Sequence, residues 1–167
     1  ARGLSPMAPP ARDAIRTAAR VIVGLVLVQI FLGGLVAGLD AGMGFNTWPL
    51  MDGQWVPGGL LAQSPVWRNF FENAMTVQFD HRLVAYVVLL ATLFHAWQAR
   101  GTRQAGSAAI LFLLVVLQAS IGITTLLMAV PLELGLLHQF GAVVVLSAAV
   151  LHLRAMSPGR EAAMVQA

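Results

Sequence analysis

The chain has 167 residues, of which 58% are hydrophobic and only 10% charged, with a formal net charge of +3. A globular domain carries about 25% charged residues, so this composition excludes an ordinary soluble fold. The basicity comes from arginine alone, because there is no lysine. The arginines fall at the borders of apolar runs, which argues for orientation in a membrane and against a nucleic-acid partner. The absence of cysteine excludes disulfides, thiolate metal sites and covalent c-type heme attachment.

In chain order, Arg2, Arg12, Arg16 and Arg20 with Asp13 form a basic tail over 1–20. It resembles the start of a signal peptide, but the apolar run after it is too long and three more follow. The chain begins at Ala1 rather than Met, so it is expected to be processed or cut from something longer. Charge-free windows lie between Arg20 and Asp40, Arg82 and Arg100, Arg103 and Glu133, and Glu133 and Arg154. Their lengths of 19, 17, 29 and 20 residues suit the roughly 20 residues that cross a bilayer core, and continuous runs of this kind read as helices.

These features predict an all-α integral membrane four-helix bundle over 21–155, with spans at about 21–39, 81–99, 104–128 and 134–153. An outer loop, 40–80, is predicted to cap it. The loop holds Trp48, Trp55, Trp67, Phe70 and Phe71, and such aromatics favour the membrane interface. Arginine asymmetry places the 1–20 and 156–167 tails and the Arg100/Arg103 link on the cytoplasmic side. The loop then faces the periplasm of an inner membrane. A weak repeat is visible: Gln29 precedes Gly33 in the first span and Gln118 precedes Gly122 in the third, each followed by a histidine-bearing span. The glutamines are expected to hydrogen-bond between helices, and the glycines to allow close packing.

Four histidines carry the chemistry. An ionisable side chain inside a bilayer marks a site with a partner, and imidazole is a common ligand of heme iron. His81 and His138 stand at matching outer ends of the second and fourth spans, which points to a bis-histidine heme. His95 and His152 each follow by 14 residues, close to four turns or about 21 Å of helix. They are expected to be interfacial or hydrogen-bonded, or else to hold a second heme. Two imidazoles are a thin ligand set for zinc or copper. Met51, Met75 and Met128 read as apolar packing rather than axial ligands. Arg82 is placed to pair with a heme propionate or to snorkel to headgroups.

Several stretches are similar to heme A synthase of the alphaproteobacterial and mitochondrial type. They are Leu35-Val-Ala-Gly-Leu-Asp-Ala-Gly42, Phe45-Asn-Thr-Trp-Pro49, Arg68-Asn-Phe-Phe-Glu-Asn73, Val77-Gln-Phe-Asp-His-Arg82, Gln118-Ala-Ser-Ile-Gly-Ile-Thr-Thr-Leu-Leu-Met128 and Leu137-His-Gln-Phe-Gly141. The resemblance covers about Val21 to Leu153. It implies an enzyme with two four-helix halves that oxidises the C8 methyl group of heme O to a formyl group for cytochrome oxidase. The chain resembles the second half, which holds a heme b cofactor, with His81 and His138 as axial ligands and Arg82 beside the heme. Where the first half carries a glutamate in a Glu-x-x-His-Arg motif, this chain has Gln78, so no catalytic residue is assigned here. The resemblance further implies heme O as substrate of the missing half, membrane lipid as surroundings, an electron donor of unknown identity and a possible homo-oligomer. The competing reading is a standalone diheme b-type cytochrome using His81 with His138 and His95 with His152.

Overall fold

A computed structural model describes residues 9–156, with side chains from Asp13 onward. Most of the two tails expected to be cytoplasmic, 1–8 and 157–167, lies outside the described residues. The elements are α1 (Pro9–Gly38), α2 (Ala41–Gly44), a short 3-10 turn (Val66–Arg68), α3 (Asn69–Glu72), α4 (Ala74–Gln98), α5 (Ala105–Leu127) and α6 (Leu132–Ala155). Four of them, α1, α4, α5 and α6, are long and apolar enough to cross a membrane. The described chain is therefore an all-α, multi-pass membrane bundle.

Each spanning helix packs mainly against two others: α1 against α4 and α6, and α5 against the same pair. The two histidine-bearing helices, α4 and α6, thus stand across the bundle from one another. Their shared core is Ile22, Val26, Val88, Leu111, Val115, Val145 and Ala149. At the inner end Ile15 and Ala19 of α1 pack on Met156, just past α6. Large apolar side chains such as Phe31, Leu90, Leu113, Phe140 and Leu151 point outward. Only 11–22% of the most apolar window of each span is buried, so the outer surface is built for lipid rather than water.

The second span starts earlier than its charge-free window suggests. Helix α4 begins at Ala74 because the Asn73 side chain accepts hydrogen bonds from the backbone N–H groups of Met75 and Thr76, satisfying donors that a helix start leaves open. His81 therefore lies seven residues inside the helix rather than at its first turn. The inner α4–α5 link turns at Gly101, whose φ of 78° suits a residue without Cβ.

The outer α5–α6 link is strained. Ala129 and Val130 adopt φ of 57° and 58°, a region hostile to a β-branched residue. The Val130 amide donates to the Thr125 carbonyl at 2.9 Å. Gly42 of α2 also packs on Val130, since a Cβ on Gly42 would come within 3.0 Å of Cγ2.

The loop is tied to α4 by two asparagines. Asn69 is fully buried; it donates to the carbonyls of Gln63 and Val66 and accepts from the Gln63 amide, each at 2.9 Å. Asn73 donates to Asn69 Oδ1 at 3.0 Å and to the carbonyls of Gly59 and Leu60, and Thr76 also donates to Leu60. On the loop surface Arg68 pairs with Glu72. That hydrogen bond and charge raise the Arg68 pKa above its ordinary value, although an exposed pair of this kind adds little stability. Trp48, Trp55, Trp67, Phe70 and Phe71 are exposed on the loop, where a headgroup layer would meet them.

Candidate functional site

The repeat seen in the sequence becomes two similar clamps. Gln29 and Gln118 each lie nine residues before the ends of α1 and α5. His81 and His138 lie seven and six residues into α4 and α6, which at the helical rise is about 10 Å from each outer end. Antiparallel packing brings these positions to one depth.

In the first clamp the Gln29 amide nitrogen lies 3.1 Å from His81 Nδ1 and 3.3 Å from His81 Nε2, and donates to the His81 carbonyl at 3.1 Å. In the second, the Gln118 amide nitrogen lies 3.1 Å from His138 Nδ1 and donates to the His138 carbonyl at 2.7 Å. One turn along from each glutamine, a glycine receives the imidazole. A Cβ on Gly33 would lie 3.2 Å from His81 Cε1, and one on Gly122 would lie 2.6 Å from His138 Cε1. The glycines expected to serve helix packing therefore make room for the rings. Gly141 adds to the second clamp, since a Cβ there would collide with Gln118 Oε1.

Arg82 follows His81. Its Nη2 donates to the Phe45 carbonyl at 2.7 Å, fastening α4 to the loop. Its Nε and Nη1 are buried and lack a protein partner among the described residues. Gln78, one turn before His81, is also buried, and its Oε1 is similarly unpartnered. An amide there has no acid or base function near neutral pH. Of the methionines, Met51 is buried in the loop and Met128 is exposed.

The inner pair differs. His95 and His152 are 1% and 3% exposed, and their Nε2 atoms are 2.7 Å apart. Two iron–imidazole bonds need about 4 Å, so this pair is a direct hydrogen bond and is not spaced as a pair of heme ligands. His152 Nδ1 meets Ser107 Oγ at 2.8 Å, and Ser107 donates to the Gln104 carbonyl at 3.1 Å. One proton arrangement satisfies every contact: His95 donates to His152, His152 to Ser107, and Ser107 to Gln104. His95 Nδ1 is left buried without a partner.

A capped four-helix bundle with two matched, glutamine-held histidines among its spans defines a multi-pass membrane protein. The chain belongs to the cytochrome oxidase assembly protein family COX15-CtaA, whose profile matches residues 1–150. It is similar to proteins named heme A synthase. The one from Azorhizobium caulinodans is 57% identical over 91% of this chain and 45% of that protein. Those from Mesorhizobium japonicum and Chelativorans sp. are 55% and 56% identical over 92% and 93% of the chain, and 44% of each relative. The chain thus spans about half the length of the curated relatives it matches. No solved structure matches it. The comparisons do not support the diheme cytochrome alternative.

Sequence reasoning named Gln29 and Gln118 as interhelical residues but not their partners, and it did not foresee the structural role of Asn69 and Asn73. The signal for the asparagines was only their presence in a distinctive loop motif.

Proposed function

We propose that this chain is the heme b-holding half of a heme A synthase in a bacterial inner membrane, with its loop periplasmic and both tails cytoplasmic. The observation that carries this reading is the pair of matched clamps on facing helices. They present His81 and His138 at one depth, each against a glutamine amide nitrogen that also donates to that histidine's carbonyl.

The donor set suits heme iron. Among the described residues no three His, Cys, Asp or Glu side chains converge as a bare-ion site. His81 and His138 supply imidazoles that would hold a heme iron. The buried Arg82 Nε and Nη1 atoms are donors suited to a propionate. When bound, heme b would supply one-electron transfer. The protein's own part is to fix the imidazoles, exclude water with the capping loop and neutralise a propionate. His81 and His138 would both be engaged in holding the heme, and Gln78 offers no base. The oxidation of the heme O methyl group to a formyl group would belong to the other half of the enzyme, with lipid around the bundle.

The test is to supply heme O to membranes containing only this chain, and to membranes containing the chain with a Glu-x-x-His-Arg-bearing half. The first should bind heme b yet form no heme A, and the second should form it. Heme A made by this chain alone would refute the division of labour.

A further inference from the structure

The glutamines of the first three spans turn inward: Gln29 and Gln118 meet histidines and Gln78 is buried. Helix α6 does the opposite. Gln139, the residue after His138, is exposed. It lies seven residues into α6, about 10 Å below the outer end of the helix, and so within the hydrocarbon layer of a bilayer about 30 Å thick. The exposed hydroxyls of α5 and α6 satisfy themselves: Ser120, Thr124 and Ser147 donate to the carbonyls of Val116, Ser120 and Val143 on their own helices. The two donors and one acceptor of an amide are not closed that way, and lipid tails offer no partner. Among the described residues none meets the Gln139 side chain.

The face around Gln139 is apolar and bare. Leu132, Leu136, Val143 and Val150 are exposed and, at helical spacing, share one side of α6 with it. In α6 and its neighbour α1, 11% of the most apolar window is buried, against 22% in α4 and α5. This side of the bundle is therefore the least covered, and the amide singles out α6. We propose that this face of α6 docks the other half of the protein, through a transmembrane helix that presents a hydrogen-bonding side chain to Gln139. The proposal rests on the reading above that the chain is one half of a heme A synthase. The relatives carry the length such a partner needs, since the match covers 45% of the Azorhizobium caulinodans protein and 44% of two others. In lipid, apolar side chains gain little by leaving the tails, so close packing and interhelical hydrogen bonds select the faces that meet. One amide among leucines and valines fixes both the face and its depth. The docked half then lies against the helix that carries His138.

The chain has no cysteine, so a single introduced thiol can carry a photoactivated cross-linker. The experiment expresses the full chain together with the Glu-x-x-His-Arg-bearing half in membranes. The probe is placed through Leu136→Cys or Val143→Cys on α6, and through Leu90→Cys on α4 across the bundle. The expected result is a cross-link to the other half from both α6 positions, and to lipid alone from Leu90→Cys. Gln139→Leu should weaken co-purification of the other half by about 3- to 20-fold, the range of one interhelical hydrogen bond in lipid. Leucine suits lipid, so a glutamine that merely faced the tails would leave co-purification unchanged on this replacement. That result would overturn the proposal. So would α6 cross-links to lipid alone or to a second copy of this chain, or a cross-link to the other half from Leu90→Cys only. Two halves that do not co-purify even with the parent chain would instead overturn the half-protein reading beneath it.

Discussion

The Nε2 atoms of His95 and His152 are 2.7 Å apart, so the histidines nearest the α4–α5 link bind one another across the bundle. They join α4 to α6 at the inner end, while the outer histidines on the same helices bind glutamines. One pair of helices therefore carries two kinds of histidine contact, separated by four turns. The inner contact is a structural tie, and removing one partner strands the other in a buried site.

His152→Ala should therefore destabilise the bundle by about 1–3 kcal/mol, since His95 Nε2 is left without a partner and Ser107 loses a contact. The double replacement His95→Leu with His152→Leu should cost less than the sum of the single changes. Thermal unfolding in detergent, followed by helical circular dichroism, measures both. Additive losses would show that the two rings do not act as a pair.

The inner pair also shows an imperfection of the repeat. His152 Nδ1 has Ser107, eleven residues before Gln118; the residue eleven before Gln29 is Ala18. The position that matches Ser107 in the repeat thus carries a methyl group, and His95 Nδ1 is unpartnered among the described residues. Ala18→Ser should supply the missing partner and stabilise the protein by about 1 kcal/mol, seen as a higher unfolding temperature. A fall in stability would mean that position 18 does not face His95.

The two imidazole notches differ in depth, and that orders two substitutions. A Cβ on Gly122 would come within 2.6 Å of His138 Cε1, against 3.2 Å for Gly33 and His81. Gly122→Ala must displace its ring, whereas a shift of a few tenths of an ångström accommodates Gly33→Ala. Heme content per purified chain should fall sharply in Gly122→Ala and only modestly in Gly33→Ala. The reverse order would contradict the clamp geometry.

The loop hub makes a separate prediction. Asn69 is fully buried and satisfies three backbone groups of the loop. Asn69→Leu strands them at a cost of about 1–3 kcal/mol each. Limited proteolysis should then cut within 46–65 faster than in the parent protein, while the spanning helices stay intact. Equal cleavage rates would remove Asn69 from its place as organiser of the cap.

The spans were legible in the sequence because lipid imposes a length and forbids charge, and both constraints are local. The start of α4 was not. Asp80 and Arg82 interrupt the apolar window, and the capping role of Asn73 depends on backbone geometry. The Gln-x-x-x-Gly repeat was visible, yet Gln29 and His81 are 52 residues apart, and only the packing of α1 on α4 joins them. The equal spacing of the histidine pairs was also plain. Sequence spacing does not distinguish two rings that share a proton from two that share an iron, because a separation of about 1 Å between the two cases is set by helix packing alone.

The most direct test of the central claim is heme stoichiometry with optical and EPR spectra of the purified chain, in the parent and in His81→Ala, His138→Ala, His95→Ala and His152→Ala. The account predicts one low-spin, six-coordinate b-type heme per chain, lost or converted to high spin in the first two variants and preserved in the last two. Two hemes per chain with one lost in His95→Ala, or a low-spin heme that survives both outer substitutions, would contradict it.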